Sequence, residues 1–275
     1  MRKFLSAVLS AALAFCGISA MTANAEDMPE RYKGCIGDAT GDGIVDGVDA
    51  SSAISMYASA SVGDRNIEPD ELSRTDVNRD GILDAKDASA ILTYYAYSST
   101  GHNVKASNYF ISNCAVSDTA ALLDLANDLY ETACYACFDY ETASRFRFNG
   151  DYTYKKDNIT YFGLDRNIIK SMDDVYSDYY SIFGNDDFLP ENRYFEGPDG
   201  FVYAPSLGRG SDIFYQYSTV NKVKTATNDK IVFNVTSHYD GSYIGEDYVN
   251  DKDDEFVIRR GSDGIFRVTT LRLPY

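Results

Sequence analysis

The chain has 275 residues with 42 acidic and 25 basic side chains, and its formal net charge of −17 argues against binding to nucleic acid or to anionic membranes. This length allows two modest domains, and a hydrophobic content of 44%, rich in Tyr and Phe, is typical of a globular fold. Trp is absent, which counts against a sugar-binding cleft because such clefts usually carry an aromatic platform, although Tyr can fill that role.

Residues 1–25 predict a signal peptide. The basic pair Arg2-Lys3 precedes an apolar run over residues 4–18, and Ala23-Asn24-Ala25 has the small-residue pattern of a cleavage site. The apolar run is too short to span a membrane. A lipid anchor on Cys16 is disfavoured because a bulky Phe precedes it. We therefore expect a secreted, extracellular protein without a membrane segment.

Residues 38–58 and 76–96 form a repeat without gaps, in which ten of the 21 positions are identical. Each copy opens with a twelve-residue loop that has carboxylates at positions one, five, nine and twelve and a glycine at position six. Calcium takes six to eight oxygen ligands, and this spacing wraps a loop around such an ion. The sequence therefore predicts two calcium ions. The expected ligands are Asp38, Thr40, Asp42, Ile44 (through its carbonyl), Asp46 and Asp49, then Asp76, Asn78, Asp80, Ile82 (carbonyl), Asp84 and Asp87.

A helix is predicted after each loop but not before the first one. The segment 26–37 contains Pro and Gly and lacks periodicity, so an EF-hand, which needs a helix on both sides, is excluded. Two short helices bury little surface, and we therefore expect calcium to be part of the fold itself. The predicted apolar stripes of the two helices are Ala53, Ile54 and Tyr57, and Ile91, Leu92 and Tyr95.

The two loop-helix units, joined by residues 59–75 with a short helical turn at Pro69, resemble a type I dockerin over residues 35–98. Dockerins are non-catalytic, all-α modules through which secreted proteins of fibre-degrading anaerobes bind cohesin modules of a scaffoldin, in complexes called cellulosomes. The resemblance implies a cohesin partner and attachment to a scaffoldin or cell-surface complex. The cohesin-contacting pair of the family falls on Gly47 and Val48 in one repeat and on Ala85 and Lys86 in the other. Because these pairs differ, we do not expect the repeats to dock interchangeably.

Residues 99–112 are polar and predict a linker with an exposed His102. Residues 113–275 predict an α+β domain. One helix is expected from an N-cap at Asp118 to about Cys137, and another from Ser171 to about Phe183. From residue 193 onward the alternation of apolar residues predicts antiparallel strands, with the acidic stretch 240–254 as a loop. The overall expectation is an α+β protein whose helices pack on one antiparallel sheet.

The second domain carries no recognised catalytic motif, so a binding role is favoured over an enzyme. His238 with a cysteine is a conceivable nucleophilic pair, and Glu196 with Glu255 a conceivable glycosidase pair, but solvated surface charge explains the carboxylates more simply. Buried, unreactive side chains are the favoured reading of Cys134 and Cys137, with disulfides or a metal site as alternatives.

The order of elements over residues 117–275, with the stretch GPDGFVYAPSLGRGS, resembles small cystatin/NTF2-like domains, above all the IseA type. Those domains are secreted inhibitors of papain-like cell-wall endopeptidases. The resemblance implies an endopeptidase partner and an inhibitory loop, with 240–254 as a second candidate. The alternative is a polysaccharide-acting enzyme or carbohydrate-binding module, which a row of exposed Tyr203, Tyr215 and Tyr217 would favour. The candidate loop consists of Leu207, Gly208, Arg209, Gly210 and Ser211.

Overall fold

The computed structural model describes residues 35–189, 193–208, 210 and 212–275, so the predicted signal peptide lies outside the described residues. Helices dominate the first half of this part and antiparallel strands the second, which confirms the α+β class. None of the described helices is long and apolar enough to cross a lipid bilayer.

One helix follows each loop, as the repeat predicts, and a short helix lies in the linker where Pro69 was expected to open a helical turn. The loop carboxylates Asp46 and Asp84 cap the two longer helices, and each takes part in a capping box with the Asp three residues on. These two helices pack on each other. Their bounds are Gly47–Ser61 (α1), Pro69–Thr75 (α2) and Ala85–Ser99 (α3).

The predicted apolar stripes are only partly buried. Ala53 and Ile91 are fully buried, but Ile54 and Leu92 are 41% and 52% exposed. Tyr94 takes the buried position on α3. The stripe prediction is wrong for Ile54 and Leu92 because α1 and α3 cover only a narrow strip of each other.

Residues 99–112 are not a free linker. Ala106–Asn113 form a helix, α4, with six buried residues. The Asn108 side chain donates to the Phe266 carbonyl (2.9 Å), and the Ser112 hydroxyl accepts from the Phe266 N–H (2.7 Å). These bonds to the last strand hold α4 inside the α+β unit.

The long helix α5 spans Thr119–Thr142 and is capped by Asp118 as predicted. It ends at Thr142, five residues later than expected, and its C-cap Ala143 is in the left-handed region (φ 59°). Asn127 exchanges hydrogen bonds with the main chain of Val220 (2.8 and 3.0 Å), which fixes α5 on a four-stranded antiparallel sheet. The strands of this sheet, in spatial order, are β5 (Tyr215–Ala226), β6 (Lys230–Asp240), β7 (Val249–Arg260) and β8 (Phe266–Thr270).

The prediction of a loop over 240–254 is wrong for its second half. Strand β7 begins at Val249, which pairs with Asp240. Asp253 accepts from the neighbouring Thr236 hydroxyl (2.6 Å) and the Asn234 amide (3.1 Å). The carboxylates lie on the solvent face of the sheet, where polar cross-strand partners stabilise them.

The structure has a second four-stranded sheet, whereas a single sheet was expected. It contains the unpredicted hairpin β1 (Phe148–Lys156) and β2 (Ile159–Leu164), followed by β3 (Phe195–Glu196) and β4 (Val202–Pro205), in the order β1-β2-β4-β3. Between the hairpins lies α6 (Met172–Tyr180), which Ser171 caps as predicted, although it ends before Phe183.

One hydrophobic core runs from the loop-helix unit into the α+β unit. Tyr94 of α3 lies 5.7 Å from Phe110 of α4 between ring centroids, and its hydroxyl donates to the Val104 carbonyl (3.0 Å). Gly37 approaches the same Phe110 so closely that a Cβ there would lie 3.1 Å from the ring. The two predicted domains therefore share packed surface.

Candidate metal centres

The first loop is organised around the carboxylate of Asp38. This side chain accepts from the main-chain N–H groups of Gly41 (2.7 Å), Asp42 (3.1 Å) and Gly43 (2.9 Å). Gly43 has φ +85°, a conformation that a residue with a Cβ adopts only with strain. The chain therefore turns tightly around one carboxylate, as a calcium loop requires.

Asp49 closes the first loop from the opposite end. Its carboxylate accepts from the Thr40 N–H (3.0 Å), the Thr40 hydroxyl (3.0 Å) and the Asp46 N–H (2.8 Å). Asp49 also lies in the first turn of α1. Position twelve thus joins the loop to the helix that follows it.

The second loop repeats this framework. Asp76 accepts from the N–H groups of Asp80 (3.2 Å) and Gly81 (2.8 Å). Asp87 accepts from the N–H groups of Val77 (3.1 Å) and Asp84 (2.9 Å). Asp87 also accepts from the Asn78 N–H (3.4 Å), so in both repeats the carboxylate at position twelve bonds to the N–H groups of positions three and nine, and that at position one to those of positions five and six.

The intermediate ligand candidates lie on the same turns. The side chain at position five accepts from the N–H at position seven, in Asp42–Ile44 (2.9 Å) and Asp80–Ile82 (3.1 Å). Asn78 at position three accepts from the Asp80 N–H (2.8 Å). At position nine, Asp46 and Asp84 accept from the N–H groups of Val48 and Lys86, 2.6 Å each, and so cap the helices.

The electrostatics of the loops fit a cation. Asp49, Asp76 and Asp87 are at most 5% exposed, and no described Lys or Arg forms an ion pair with them. Burial raises the pKa of Asp87 to about 6, against the main-chain hydrogen bonds that lower it, and burial raises the pKa of Asp49 as well. Buried carboxylates are normally paired or bound to a metal. The donor set therefore fits calcium.

The ligands expected for calcium include main-chain carbonyls and the side-chain oxygens of Thr40 and Asn78 as well as carboxylates. Across the described residues, no three His, Cys, Asp or Glu side chains are gathered into a preformed metal site. A loop whose ligands include amide, hydroxyl and carbonyl oxygens does not depend on such a gathering.

Lys86 makes the two loops electrostatically different. Its ammonium lies 3.6 Å from an Asp80 oxygen and 3.4 Å from an Asp84 oxygen. The main-chain N–H and the charge of Lys86 lower the pKa of Asp84. The equivalent residue of the first repeat is Val48, so among the described residues this position places a cation beside the ligand candidates of the second loop and not of the first.

The four residues at loop positions ten and eleven open the helices. Gly47 and Val48 are the first residues of α1, and Ala85 and Lys86 the first of α3. Val48 is 62% exposed, and Ile54 and Leu92 are exposed on the same two helices. We call Val48, Ile54, Lys86 and Leu92 the helix-pair surface. Because both copies have an apolar residue at the place of Ile54 and Leu92, the sequence predicted both as buried and missed their place on this surface.

The candidate inhibitory loop is described only in part. Leu207 is 38% exposed, and nothing lies within 4 Å of a Cβ built on Gly208 or Gly210. Arg209 and Ser211 lie outside the described residues. The described part of this loop is thus open to solvent.

The conceivable catalytic pairs are not brought together. His238 lies 2.8 Å from Asp251, and its ring lies 4.4 Å from that of Tyr217 between centroids, on the exposed face of the β5–β8 sheet. Glu196 and Glu255 belong to different sheets, and Glu255 pairs with Lys224 (3.2 Å).

The four cysteines in the described part of the chain are not joined to one another in disulfides. Cys134 and Cys137 are buried on α5, as the sequence favours, and burial raises the pKa of the Cys134 thiol. Burial also raises the pKa of Cys35 to about 12 and that of Cys114 to about 11. Such thiols are protonated at neutral pH, which makes them poor nucleophiles.

The three tyrosines named as a possible sugar-binding row do not form one. Tyr203 is buried in the sheet of β1–β4, whereas Tyr215 and Tyr217 lie in the other sheet. Only Tyr217 is largely exposed.

Similarity to known proteins adds no assignment. No protein-family model matches the chain, and no curated protein is significantly similar to it. Both resemblances, to dockerins and to IseA-type domains, therefore stay predictions.

Proposed function

We propose that the chain is an exported, calcium-dependent docking protein of the dockerin type. Residues 35–98 would bind a cohesin module and hold residues 113–275 on an extracellular, scaffoldin-based complex. The observation that carries this proposal is the duplicated hydrogen-bond framework, which buries Asp49, Asp76 and Asp87 without a basic partner among the described residues.

The role of calcium in this proposal is structural. The side chains of positions one, three, five and twelve, with the carbonyls of Ile44 and Ile82, would hold one ion in each loop. The ion neutralises the buried carboxylates when bound. Asp49 and Asp87 connect the loops to α1 and α3, so the same residues would couple ion binding to helix formation.

Cohesin recognition would use the helix-pair surface. Val48, Ile54 and Leu92 are exposed apolar side chains on two packed helices, and a bound partner would remove them from water. Lys86 replaces the apolar Val48 in the second repeat, so the surface is not symmetric. We expect a cohesin to bind it in one orientation.

For the α+β unit we propose binding to a papain-like cell-wall endopeptidase without catalysis of its own. The exposed Leu207 and the open backbone at Gly208 and Gly210 support a loop that enters a cleft. His238 is partly exposed beside Asp251, whereas Cys134 and Cys137 are buried on α5, which is consistent with a non-catalytic role.

Calorimetry on the mature chain tests the calcium proposal. We expect two calcium ions to bind, and Asp38→Ala and Asp76→Ala each to remove one. Asp64→Ala, an exposed carboxylate outside both loops, is the matched control. Binding that is absent, or that survives in the double variant, would refute the calcium sites.

Docking is tested with purified cohesin modules from the same organism. We expect one of them to bind the calcium-loaded chain, and Ile54→Asp or a chelator to abolish the complex. Calcium binding without any cohesin complex would leave the metal sites standing and reject the dockerin function.

Inhibition is measured as the rate of peptidoglycan hydrolysis by a papain-like endopeptidase. Addition of the chain should slow it, and Leu207→Asp should relieve the effect, whereas Ile168→Asp, at an exposed residue elsewhere, should not. Release of reducing sugars from glycans by the chain alone would reject the non-catalytic role.

A further inference from the structure

One face of the β1-β2-β4-β3 sheet is covered with aromatic side chains that the proposed docking function does not use. Ring centroids link them in a continuous series, with Tyr152 stacked on Phe201 at 4.5 Å, Tyr161 and Phe195 at 5.0 Å, and Tyr154 and Tyr203 at 5.7 Å. We call this set the aromatic face: Tyr152, Tyr154, Tyr161, Phe195, Phe201 and Tyr203.

The strand register places these rings on one side of the sheet. Tyr154 is directly opposite Tyr161, and Phe195 is opposite Tyr203, so each pair shares a face. The neighbours of Tyr203 in β4, Val202 and Ala204, point into the hydrophobic core. Tyr203 is buried as well but lies outside that core, so it forms the floor of the aromatic face.

The upper rings are accessible. Tyr152 is 41% exposed, and Tyr154, Tyr161, Phe195 and Phe201 are partly exposed. The strands of this sheet contact chiefly one another among the described elements, and no described helix packs extensively on them. The face is therefore a solvent-accessible platform.

The platform is amphipathic. The hydroxyls of Tyr152, Tyr154 and Tyr161 have no hydrogen-bond partner among the described residues, whereas the Tyr203 hydroxyl donates to Asp199 (2.7 Å). Three free hydroxyls beside flat rings favour a ligand that offers both apolar C–H surface and many hydroxyl groups.

Two cations border the face. The Lys156 ammonium lies 6.0 Å from the centre of the Phe195 ring, and the Arg166 guanidinium lies over the Phe201 ring. Neither forms an ion pair with a described residue. The Tyr203 hydroxyl and, less strongly, the charge of Arg166 lower the pKa of Asp199, so Arg166 is partly compensated. Lys156 therefore supplies most of the positive charge that complements an anion here.

We propose that the aromatic face binds an acidic polysaccharide, whose sugar rings stack on Tyr152 and its neighbours and whose carboxylates contact Lys156 and Arg166. A purely apolar protein partner would leave the tyrosine hydroxyls and both cations desolvated without partners, which is costly. The site belongs to the α+β unit, so it is independent of calcium docking and of the loop at 207–210.

Binding is measured by affinity electrophoresis of the calcium-loaded mature chain in glucuronoxylan and in the same polymer after reduction of its carboxylates. We expect binding to the acidic polymer, weakened at high salt, and at least tenfold weaker binding to the reduced one. Tyr152→Ala should weaken binding about tenfold, because stacking on one ring is worth roughly 1–1.5 kcal/mol. Lys156→Gln should weaken binding and reduce its salt dependence.

Tyr217→Ala is the matched control, since Tyr217 is an exposed tyrosine of the other sheet. Tyr152→Phe keeps the ring and should retain most of the binding, which separates loss of stacking from loss of fold. Absence of binding to the acidic polymer, equal binding to its reduced form, or equal effects of Tyr152→Ala and Tyr217→Ala would overturn the proposal.

Discussion

Arg79 of the second loop forms an ion pair with Asp128 of α5, across the boundary between the two predicted domains. Arg79 is 11% exposed at its side chain and also donates to the carbonyls of Ser73 (2.6 Å) and Asp76 (3.1 Å). Burial raises the pKa of Asp128, and the charge of Arg79 opposes that effect. One side chain thus fastens a calcium-type loop to the long helix of the α+β unit.

Loss of the ion pair between Arg79 and Asp128 should destabilise the folded chain. We expect Arg79→Ala to lower the free energy of unfolding by about 1–2 kcal/mol, because the half-buried Asp128 would lose its partner and the carbonyls of Ser73 and Asp76 would lose a donor. Urea unfolding followed by circular dichroism measures the effect. Arg65→Ala is the control, since the Arg65–Glu71 pair lies on the surface and should contribute under about 1 kcal/mol. Equal losses in the two variants would contradict the prediction.

Calcium removal should also destabilise residues outside the loops. Because Tyr94 packs on Phe110 and α4 is bonded to β8, loss of α3 would expose part of the α+β core. We expect a chelator to unfold the loop-helix unit and to accelerate hydrogen exchange at amides of α4 and β8. Amides of β1 and β2, which are remote in the topology, are the internal control. Unchanged exchange at α4 would show that the units are independent.

The second loop should bind calcium less tightly because of its own lysine. We expect Lys86→Ala to strengthen calcium binding at that loop about two- to threefold, the scale of an exposed ion pair. Calorimetry at low ionic strength measures the change, and added salt should diminish it. Val48→Ala, at the same place in the first repeat, should leave the affinity unchanged. A weakened second site would mean that Lys86 supports the loop instead.

Asp178 should make the free energy of unfolding depend on pH in the acidic range. Its carboxylate accepts from Arg145 (2.6 Å), Lys105 (3.0 Å) and the Tyr140 hydroxyl (2.8 Å). Burial alone would raise the pKa of Asp178, but Arg145 and Lys105 outweigh it and hold the pKa well below its usual range. The folded state therefore binds the proton less strongly than the unfolded state. This stabilisation is complete above about pH 4 and is lost as the pH falls toward the folded pKa.

Asp178→Asn should consequently cost about 2–4 kcal/mol at pH 7 and flatten the decline of stability between about pH 4 and pH 2. Chemical unfolding at a series of pH values measures both effects. Asp229→Asn, an exposed turn residue, is the control. A slope below pH 4 identical to that of the wild type would rule out the role of Asp178.

The loops were predictable because the hydrogen bonds described for their carboxylates at positions one and twelve all lie within the same loop. Asp38 bonds to residues within five positions, and the repeat presents the pattern twice. The hairpin β1–β2 also had a local signal in the sequence. Asp157 and Asn158 are residue types that tolerate positive φ, and both adopt it in this two-residue turn. The alternating tyrosines beside that turn pointed to strands, but the segment has few of the aliphatic residues that mark a buried strand.

The remaining differences depend on distant contacts. Asn108 looks like a linker residue in the sequence, and its burial depends on a hydrogen bond to Phe266, 158 positions away. The acidic start of β7 is extended because β6 offers it a complete edge of partners. Local composition carries no information about either neighbour.

Helix α4 has a mechanical consequence for anything held through residues 35–98. A flexible tether would let the attached domain tumble and sample many directions, whereas a buried eight-residue helix makes the joint stiff. The aromatic face would then point in one fixed direction once the helix pair is docked. Such a joint fixes the orientation of the attached domain relative to whatever binds the helix pair, which a flexible linker would not do.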